Sequence, residues 1–333
     1  MSLEIRNVSK TYGSFQAVDD VSFTVTPGRI FGFLGTNGAG KTTTMRMILD
    51  IIRADTGSIT WNGTANNDVP RRDFGYLPEE RGLYPKMAVY EQLLFLAQLY
   101  GASKQDAVAS LDDWLDRLAI TENRRKPVEQ LSKGNQQKIQ FLAAILHDPD
   151  ILIFDEPFSG LDPVNAEQMK AAFLELRDRG KTIIFSTHQL DDAQELCHEV
   201  AIIHRGKLMI SGEVLDVRRS VGQQVVSFGV AGTNDGEQGD LAWVEGIPAV
   251  RVARRRVDHL ELAVPDAVTA QKVLHEAVRR GLTVTRFDLS YPSINDVFLS
   301  LVRGLPGDGQ TGTSEPMTAA TGASRDLVGS NER

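Results

Sequence analysis

The segment GTNGAGKT, Gly35 to Thr42, constrains the fold more than any other feature of the sequence. It matches G-x-x-x-x-G-K-[ST], follows the strand-like run RIFGFL and precedes a segment with helical apolar spacing. Glycines let successive backbone N–H groups turn inward around phosphate oxygens, and the helix N-terminus adds a favourable partial charge. Lys41 can reach the outer phosphates, and the Thr42 hydroxyl can bind Mg²⁺. The segment therefore predicts a nucleoside triphosphate site where a strand meets a helix.

Two adjacent acids, Asp155 and Glu156, follow the apolar run ILIF, which is typical of a strand buried on both faces. Carboxylates at such a position are costly unless a cation or a hydrogen-bond donor meets them. Because parallel strands gather ligands at their carboxyl ends, we expect the ends of FGFLG and ILIFDE to lie side by side. Asp155 would then face the metal ion and Glu156 would take a proton from an attacking water.

The organisation of the chain predicts an α/β fold followed by a smaller domain. Up to about residue 220, strand-like runs alternate with helical patterns, which indicates a mainly parallel sheet with helices on both faces. The early runs LEIRNV and VSFTV alternate strictly and predict an antiparallel sheet at one edge. Residues 221–303 predict a small α+β domain, whose last helix carries Ile294, Val297, Phe298 and Leu301 on one face. Residues 304–333 are rich in Gly, Thr and Ser and predict a disordered tail.

Composition excludes several classes of function. A net charge of -8 and a pI near 5.4 argue against a protein that coats nucleic acid. The single cysteine, Cys197, favours a reducing cytoplasmic compartment, since no disulfide can form within the chain. No apolar run approaches the about 18 residues of a membrane span, so we expect the chain not to cross a membrane by itself.

The phosphate loop alone is compatible with kinases, GTPases and motor ATPases, but a later segment reduces the number of possible protein classes. The segment LSKGNQQKIQFLAAILHDPDILIFDEPFSGLDP resembles the ATP-binding cassette (ABC) family in the order of its motifs. LSKGN stands where that family has its signature loop, SGLD matches the D-loop, and GYLPEE falls at the Q-loop. STHQL places His188 at the family's switch histidine, and KTYG places Tyr12 at the aromatic residue that stacks on adenine. The resemblance covers about residues 2–220.

This resemblance implies a P-loop NTPase nucleotide-binding domain with a mainly parallel sheet core, an antiparallel β subdomain and a helical subdomain. It implies that ATP cross-links two subunits head to tail, so that one subunit's signature loop closes over the nucleotide of the other. Glu156 and His188 would be catalytic, and Thr42, Glu79 and Asp155 would bind Mg²⁺. The implied ATP contacts are Tyr12, Gly35, Asn37, Gly38, Gly40, Lys41, Thr42 and Thr43 in one subunit, and Ser132, Gly134 and Asp162 from the second.

Three positions depart from the family pattern. Glu79 replaces the usual glutamine of the Q-loop, and its carboxylate can still bind a metal ion or hold water. Lys133 replaces a glycine of the signature, where it either adds a donor near phosphate or points outward. Asn135 replaces a glutamine, which keeps the amide and shortens its reach.

Within the family, the chain is similar to the ATP-binding subunits of bacterial exporters of the sodium- and drug-efflux type. Such a subunit pairs with integral membrane permease subunits and lies at the inner face of the cell membrane. The segment EERGLYPKM would help form a groove for a helix of that partner. The alternatives are a soluble ABC-type ATPase that acts on ribosomes or DNA, and the ATPase of an ABC importer.

Overall fold

The computed structural model describes residues 2–80, 82–231 and 241–303, so the tail predicted at 304–333 lies outside the described residues. The strands are β1 (Leu3–Tyr12), β2 (Phe15–Val25), β3 (Ile30–Leu34), β4 (Thr56–Trp61), β5 (Thr64–Ala65), β6 (Phe74–Leu77), β7 (Ile151–Asp155), β8 (Thr182–Thr187), β9 (Glu199–His204), β10 (Lys207–Glu213), β11 (Gln224–Val230), β12 (Arg251–Arg255), β13 (Leu260–Val264) and β14 (Val284–Ser290). The helices are α1 (Lys41–Ile48), α2 (Val89–Leu99), α3 (Lys104–Arg117), α4 (Lys133–Ile145), α5 (Pro163–Asp178), α6 (Leu190–Leu196), α7 (Val214–Arg219), α8 (Ala267–Arg279) and α9 (Ile294–Arg303).

A six-stranded sheet forms the centre of the first part of the chain, in the order β10-β9-β3-β8-β7-β6. All neighbours from β9 to β6 are parallel, and only β10 is antiparallel. Both faces of β7 are covered, because Ile151 and Ile153 pack into one core while Leu152 and Phe154 pack into the other. The continuous apolar run is the consequence of this two-sided burial, and the predicted α/β fold is confirmed.

The expected adjacency of β3 and β7 is wrong. β8 lies between them and pairs in parallel with both, so that Asp155 is level with Ser186. The apolar runs identify each strand as central, but all three look alike and do not encode their order. The inserted strand places a hydroxyl beside the two acids, and the side chains of Lys41 and Glu156 still meet across it.

Two antiparallel sheets flank this centre. The first has the order β2-β1-β4-β5 and is a separate sheet rather than an edge of the parallel one. The second, β12-β13-β11-β14, forms the predicted small α+β unit with α8, around a core that includes Phe228, Leu262 and Val273. Helices α2 and α3 pack beside α4 and form the predicted helical subdomain.

Helix α9 packs against the first part of the chain rather than only against its own sheet. Ile294 and Val297 are fully buried in the core that also contains β3, β8 and α5. The side-chain carbonyl of Gln194 in α6 accepts a hydrogen bond of 2.9 Å from the backbone N–H of Ile294. The Arg218 guanidinium donates to the carbonyls of Tyr291 and Pro292 at 2.7 and 2.8 Å. The domain boundary near residue 220 stays a prediction. Helix α9 comes after that boundary in the sequence but packs into the core of the part before it.

None of the helices in the described part of the chain is both long enough and apolar enough to cross a membrane.

We expect Ile294→Ala to lower the unfolding free energy of the nucleotide-binding part by about 2–5 kcal/mol, because it leaves a cavity in that part's core. The measurement is urea unfolding followed by Trp114 fluorescence, with Trp61 and Trp243 replaced by Phe, since Trp114 is buried in the same core. Val268→Ala on α8, at a side chain that is 63% exposed, is the control and should change stability by less than about 0.5 kcal/mol. An unchanged Trp114 transition in the Ile294 variant would contradict the packing.

Candidate nucleotide site

The phosphate loop is shaped by glycines in the left-handed region. Gly38 has φ +77° and Gly40, directly before α1, has φ +106°. A Cβ on Gly40 would lie 2.5 Å from the carbonyl oxygen of Ala17, so β2 packs directly against the loop. Only glycine combines this φ with this close approach. The loop and the start of α1 are therefore fixed relative to the β1–β2 hairpin.

Lys41 connects the phosphate loop to Glu156, the residue that directly follows β7. Its side chain is only 6% exposed, and its Nζ donates to the carbonyls of Gly35 at 2.8 Å and Thr36 at 3.2 Å. The same Nζ lies 3.3 Å from Oε1 of Glu156, which is equally buried. An ammonium group held in this way stands among the loop residues where the pattern predicts phosphate. It also compensates the charge of Glu156.

The two adjacent acids are held by one serine. Asp155 is fully buried, and its Oδ1 accepts a hydrogen bond of 2.5 Å from the Ser186 hydroxyl. The backbone N–H of Glu156 donates to the same Oγ at 3.0 Å. Glu156 has φ +50°, an uncommon conformation for a residue with a side chain, which the chain adopts directly at the strand end. Ser186 was missed by sequence analysis, although a polar residue at the end of the apolar run TIIFST was a usable signal.

His188 contacts the second acid. Its Nδ1 lies 2.9 Å from Oε2 of Glu156, and because a carboxylate only accepts, the ring N–H donates. Glu156 therefore lies between Lys41 on one side and His188 on the other. The imidazole is 44% exposed, so it stands at the mouth of the site while Glu156 lies within.

A cavity of about 320 Å³ opens at this edge of the sheet. It is lined by Phe15, Ala17, Asn37, Gly38, Gly40, Lys41, Thr42, Thr43, Glu79 and Glu156. The structure thus brings together most of the predicted loop residues with Glu79 and Glu156. Gly35 contributes its carbonyl to Lys41, while Asp155 and His188 adjoin the cavity through Ser186 and Glu156.

The aromatic residue that lines the cavity is Phe15 rather than the predicted Tyr12. The two residues are directly paired across the β1–β2 hairpin, so their side chains share one face of the ribbon. The Phe15 side chain is 61% exposed. The ring of Tyr12 contacts a cation instead, since the ammonium of Lys10 lies 5.7 Å from the ring centre. Sequence analysis passed over Phe15 because the family pattern directs attention to the residue before the turn.

The oxygen donors at the site fit Mg²⁺. Asp155 Oδ2 is buried and has no hydrogen-bond partner among the described residues, although Oδ1 of the same carboxylate is bonded. The described residues contain no cluster of three or more His, Cys, Asp or Glu that could hold a metal ion. Mg²⁺ uses one or two carboxylates and completes its shell with substrate phosphates and water. Thr42, Asp155 and Glu79 are the residues that would hold it.

Ser132, Gly134 and Asp162 form a second group that does not line this cavity. Ser132 caps α4 by accepting from the N–H of Asn135 at 3.2 Å, and Asp162 caps α5 by accepting from Asn165 at 3.0 Å. A Cβ on Gly134 would lie 2.9 Å from the Asn165 amide nitrogen, so the two helix starts touch. Ser132 and Asp162 are exposed, as is Lys133. Within one chain, the predicted signature and D-loop residues are brought to each other and not to the phosphate loop.

Comparison with known proteins agrees with this geometry. A family model described as ABC transporter matches residues 18–159, and one described as ATP-binding protein DrrA1-3-like, C-terminal domain, matches residues 212–302. The uncharacterized ABC transporter ATP-binding protein YhaQ of Bacillus subtilis (strain 168) is 41% identical over 300 residues, covering 90% of this chain and 98% of that protein.

Two further similarities support the same family. Nod factor export ATP-binding protein I of Paraburkholderia xenovorans (strain LB400) is 36% identical over 217 residues, covering 63% of this chain and 70% of that protein. A solved ATP-binding subunit of an ABC transporter is 33% identical with a TM-score of 0.63, and the match covers 67% of this chain and 94% of that one. The chain belongs to the ATP-binding proteins of ABC transporters, and the nucleotide of that family is ATP.

Proposed function

We propose that this chain is the ATP-hydrolysing subunit of a membrane exporter. The observation that carries the proposal is the buried Glu156 carboxylate, held between Lys41 and His188 at the edge of the cavity. A carboxylate in this position serves turnover rather than binding alone, because a general base must lie beside the reacting phosphate. Export is favoured over import by the match to a DrrA1-3-like C-terminal domain and by the similarity to a Nod factor export protein.

Hydrolysis follows from the residues around Glu156. The oxygen of a water molecule attacks the γ-phosphorus, the bond to the bridging oxygen breaks, and ADP leaves with inorganic phosphate. Glu156 takes the proton of the attacking water, and the Lys41 ammonium stabilises the phosphate charge. His188 orients Glu156 through its Nδ1–H and can itself contact phosphate. Mg²⁺, when bound with ATP, supplies charge neutralisation at the outer phosphates.

A second subunit is needed to complete the site. Ser132, Gly134 and Asp162 are separate from the cavity of their own chain, yet Ser132 and Asp162 are exposed at helix starts, where N–H groups favour an anion. A second copy of the chain, placed head to tail, would bring these residues to the γ-phosphate. Since ADP lacks that phosphate, closure would depend on ATP and would supply the free energy that moves a membrane partner.

A groove beside the helical subdomain is the candidate contact with the membrane permease. It has a volume of about 230 Å³ and is lined by residues that include Leu83, Leu96 and Tyr100. The loop that borders it is held by Gln92, a fully buried amide that bonds both the N–H and the carbonyl of Tyr84, at 2.8 and 3.3 Å. Tyr84, Phe95 and Leu99, which are close in sequence to its lining residues, are exposed. A preformed apolar groove of this kind suits one helix of a partner. The permease would hold the subunit at the inner face of the cell membrane.

Glu156→Gln should retain ATP binding and reduce steady-state turnover by about 10²-fold or more, because the amide keeps the shape and cannot accept the proton. The measurements are ATP affinity by calorimetry and phosphate release. Glu167→Gln, at an exposed side chain, is the matched control and should hydrolyse ATP like the wild type. Near-normal turnover of the Glu156 variant would refute the assigned role.

Phe15→Ala should weaken ATP binding by about 1–3 kcal/mol, the usual contribution of an aromatic ring stacked on a base. Tripolyphosphate, which has no base, should bind equally to the variant and the wild type. Tyr12→Ala, measured in parallel, separates the two rings of the hairpin. If only the Tyr12 variant loses affinity for ATP, the base contact belongs to Tyr12, as the family pattern predicts.

Purification of the tagged chain from its native membranes in mild detergent tests the partner. We expect an integral membrane protein to be recovered in near-equal amount. Leu96→Glu, which places a charge in the apolar groove, should reduce that recovery by about tenfold while ATP binding is retained, because an unpaired carboxylate is costly to bury. Recovery with ribosomes or DNA-bound proteins would instead support the soluble alternative.

A further inference from the structure

Gln140, on the inner side of α4, is a buried amide with an unusual set of contacts. Its side chain is only 4% exposed, and its Nε2 donates to the carbonyls of Pro78 at 2.8 Å and Glu80 at 3.1 Å. Both hydrogens of one amide are thus used on the two residues that flank Glu79. Gln140 lies in the segment that follows the signature loop, and sequence analysis assigned it no role.

The bonded segment is the loop that carries Glu79 to the nucleotide cavity. β6 ends at Leu77, which is paired with Phe154, so the loop leaves the sheet beside Asp155. After Leu77, the carbonyls of the loop no longer form hydrogen bonds with a neighbouring strand. A side-chain donor is then needed to fix their positions. Burial raises the pKa of the Tyr76 phenol, the charge of Asp155 raises it further, and Arg46 opposes both.

The same side chain faces the partner groove described above. Gln140 lines that groove together with Leu96, Tyr100 and His147, while Glu79 lines the nucleotide cavity. Only the short loop 78–80 separates the two. Gln140 therefore both lines the groove, as Pro78 does, and bonds the residues on each side of Glu79.

Stability alone does not account for a glutamine at this position. Its Oε1 is buried and has no hydrogen-bond partner in the described part of the chain. An unsatisfied buried oxygen opposes folding, and an apolar side chain of similar length would avoid that cost. The two N–H groups aimed at the loop are what a methionine at this position would lack.

We propose that Gln140 is a positioning residue that holds Glu79 at the metal side of the nucleotide cavity. The inference rests on the proposed ATP-dependent function and adds to it the residue that links the signature helix α4 to the Q-loop. Gln140 touches neither nucleotide nor metal, and it acts only through the backbone on either side of Glu79. Its removal should therefore have no effect beyond that of removing the Glu79 carboxylate.

A double-mutant cycle between Gln140→Met and Glu79→Ala, which removes the metal-binding side chain, tests this. The measured quantity is the Mg²⁺ concentration that gives half-maximal ATP binding by calorimetry, without turnover. Each single substitution should raise it by about tenfold, as expected when a metal ligand or its support is lost. The double variant should match Glu79→Ala within about twofold, whereas independent effects would multiply to about a hundredfold.

Gln136→Met is the matched control on the same helix. Gln136 also donates through Nε2 to two carbonyls, of Val128 and Leu131, both at 3.1 Å and both outside the loop that carries Glu79. Any effect of this substitution should multiply with that of Glu79→Ala. The urea midpoint of each variant verifies folding, and Gln140→Leu, which is apolar and also lacks N–H donors, replaces the methionine variant if the latter fails to fold.

The outcomes separate the proposals. An unchanged Mg²⁺ requirement in the folded Gln140 variants, or an effect that multiplies with that of Glu79→Ala, would overturn the positioning role. An unchanged requirement in Glu79→Ala alone would overturn it as well, because Gln140 would then have no ligand to position. A wild-type chain that binds no ATP with Mg²⁺ would overturn the proposed function itself.

Discussion

Two adjacent carboxylates at the end of a buried strand are the constraint on which the rest of the structure depends. Asp155 and Glu156 are almost fully buried, so each carboxylate needs a hydrogen-bond donor or a positive charge from another element. Ser186 supplies a hydroxyl from β8, Lys41 supplies an ammonium from the phosphate loop, and His188 supplies a ring N–H from the segment after β8. The order β3-β8-β7 of the sheet is what allows two separate parts of the sequence, the phosphate loop and the end of β8 with the residue after it, to reach one pair of acids.

In the proposed head-to-tail assembly, the residues that one chain brings together by itself are distinct from those that a second chain would supply. Lys41, Glu156 and His188 are already in contact, which makes the cavity complete on the side of the phosphate loop. The side chains of Ser132 and Asp162, by contrast, cap their own helices and so fix the starts of α4 and α5. Each chain thus carries two preformed groups: the phosphate-loop side of one site, and the helix starts that would face a second site. This arrangement suits head-to-tail assembly.

Sequence analysis predicted the elements and the loop residues that line the cavity because these depend on local pattern. The motif from Gly35 to Thr42 and the acids after ILIF are contiguous, and their spacing alone implies their chemistry. The order of the central strands, the role of Ser186 and the placement of Phe15 depend instead on tertiary pairing. Three equally apolar strands do not encode which is in the middle. The contact between Gln140 and the loop at Glu79 joins positions 60 residues apart and leaves no local pattern.

The position of α9 has a consequence for how the chain is made. Ile294 and Val297 are fully buried in a hydrophobic core that also includes residues of β3, α5 and β8. During synthesis from the N-terminus, the part of that core that precedes residue 220 is made before α9 exists to cover it. Since chains tend to fold in the order of their synthesis, the final packing of this core follows the synthesis of α9. Residues after 220 thus take part in completing the core beneath the nucleotide cavity.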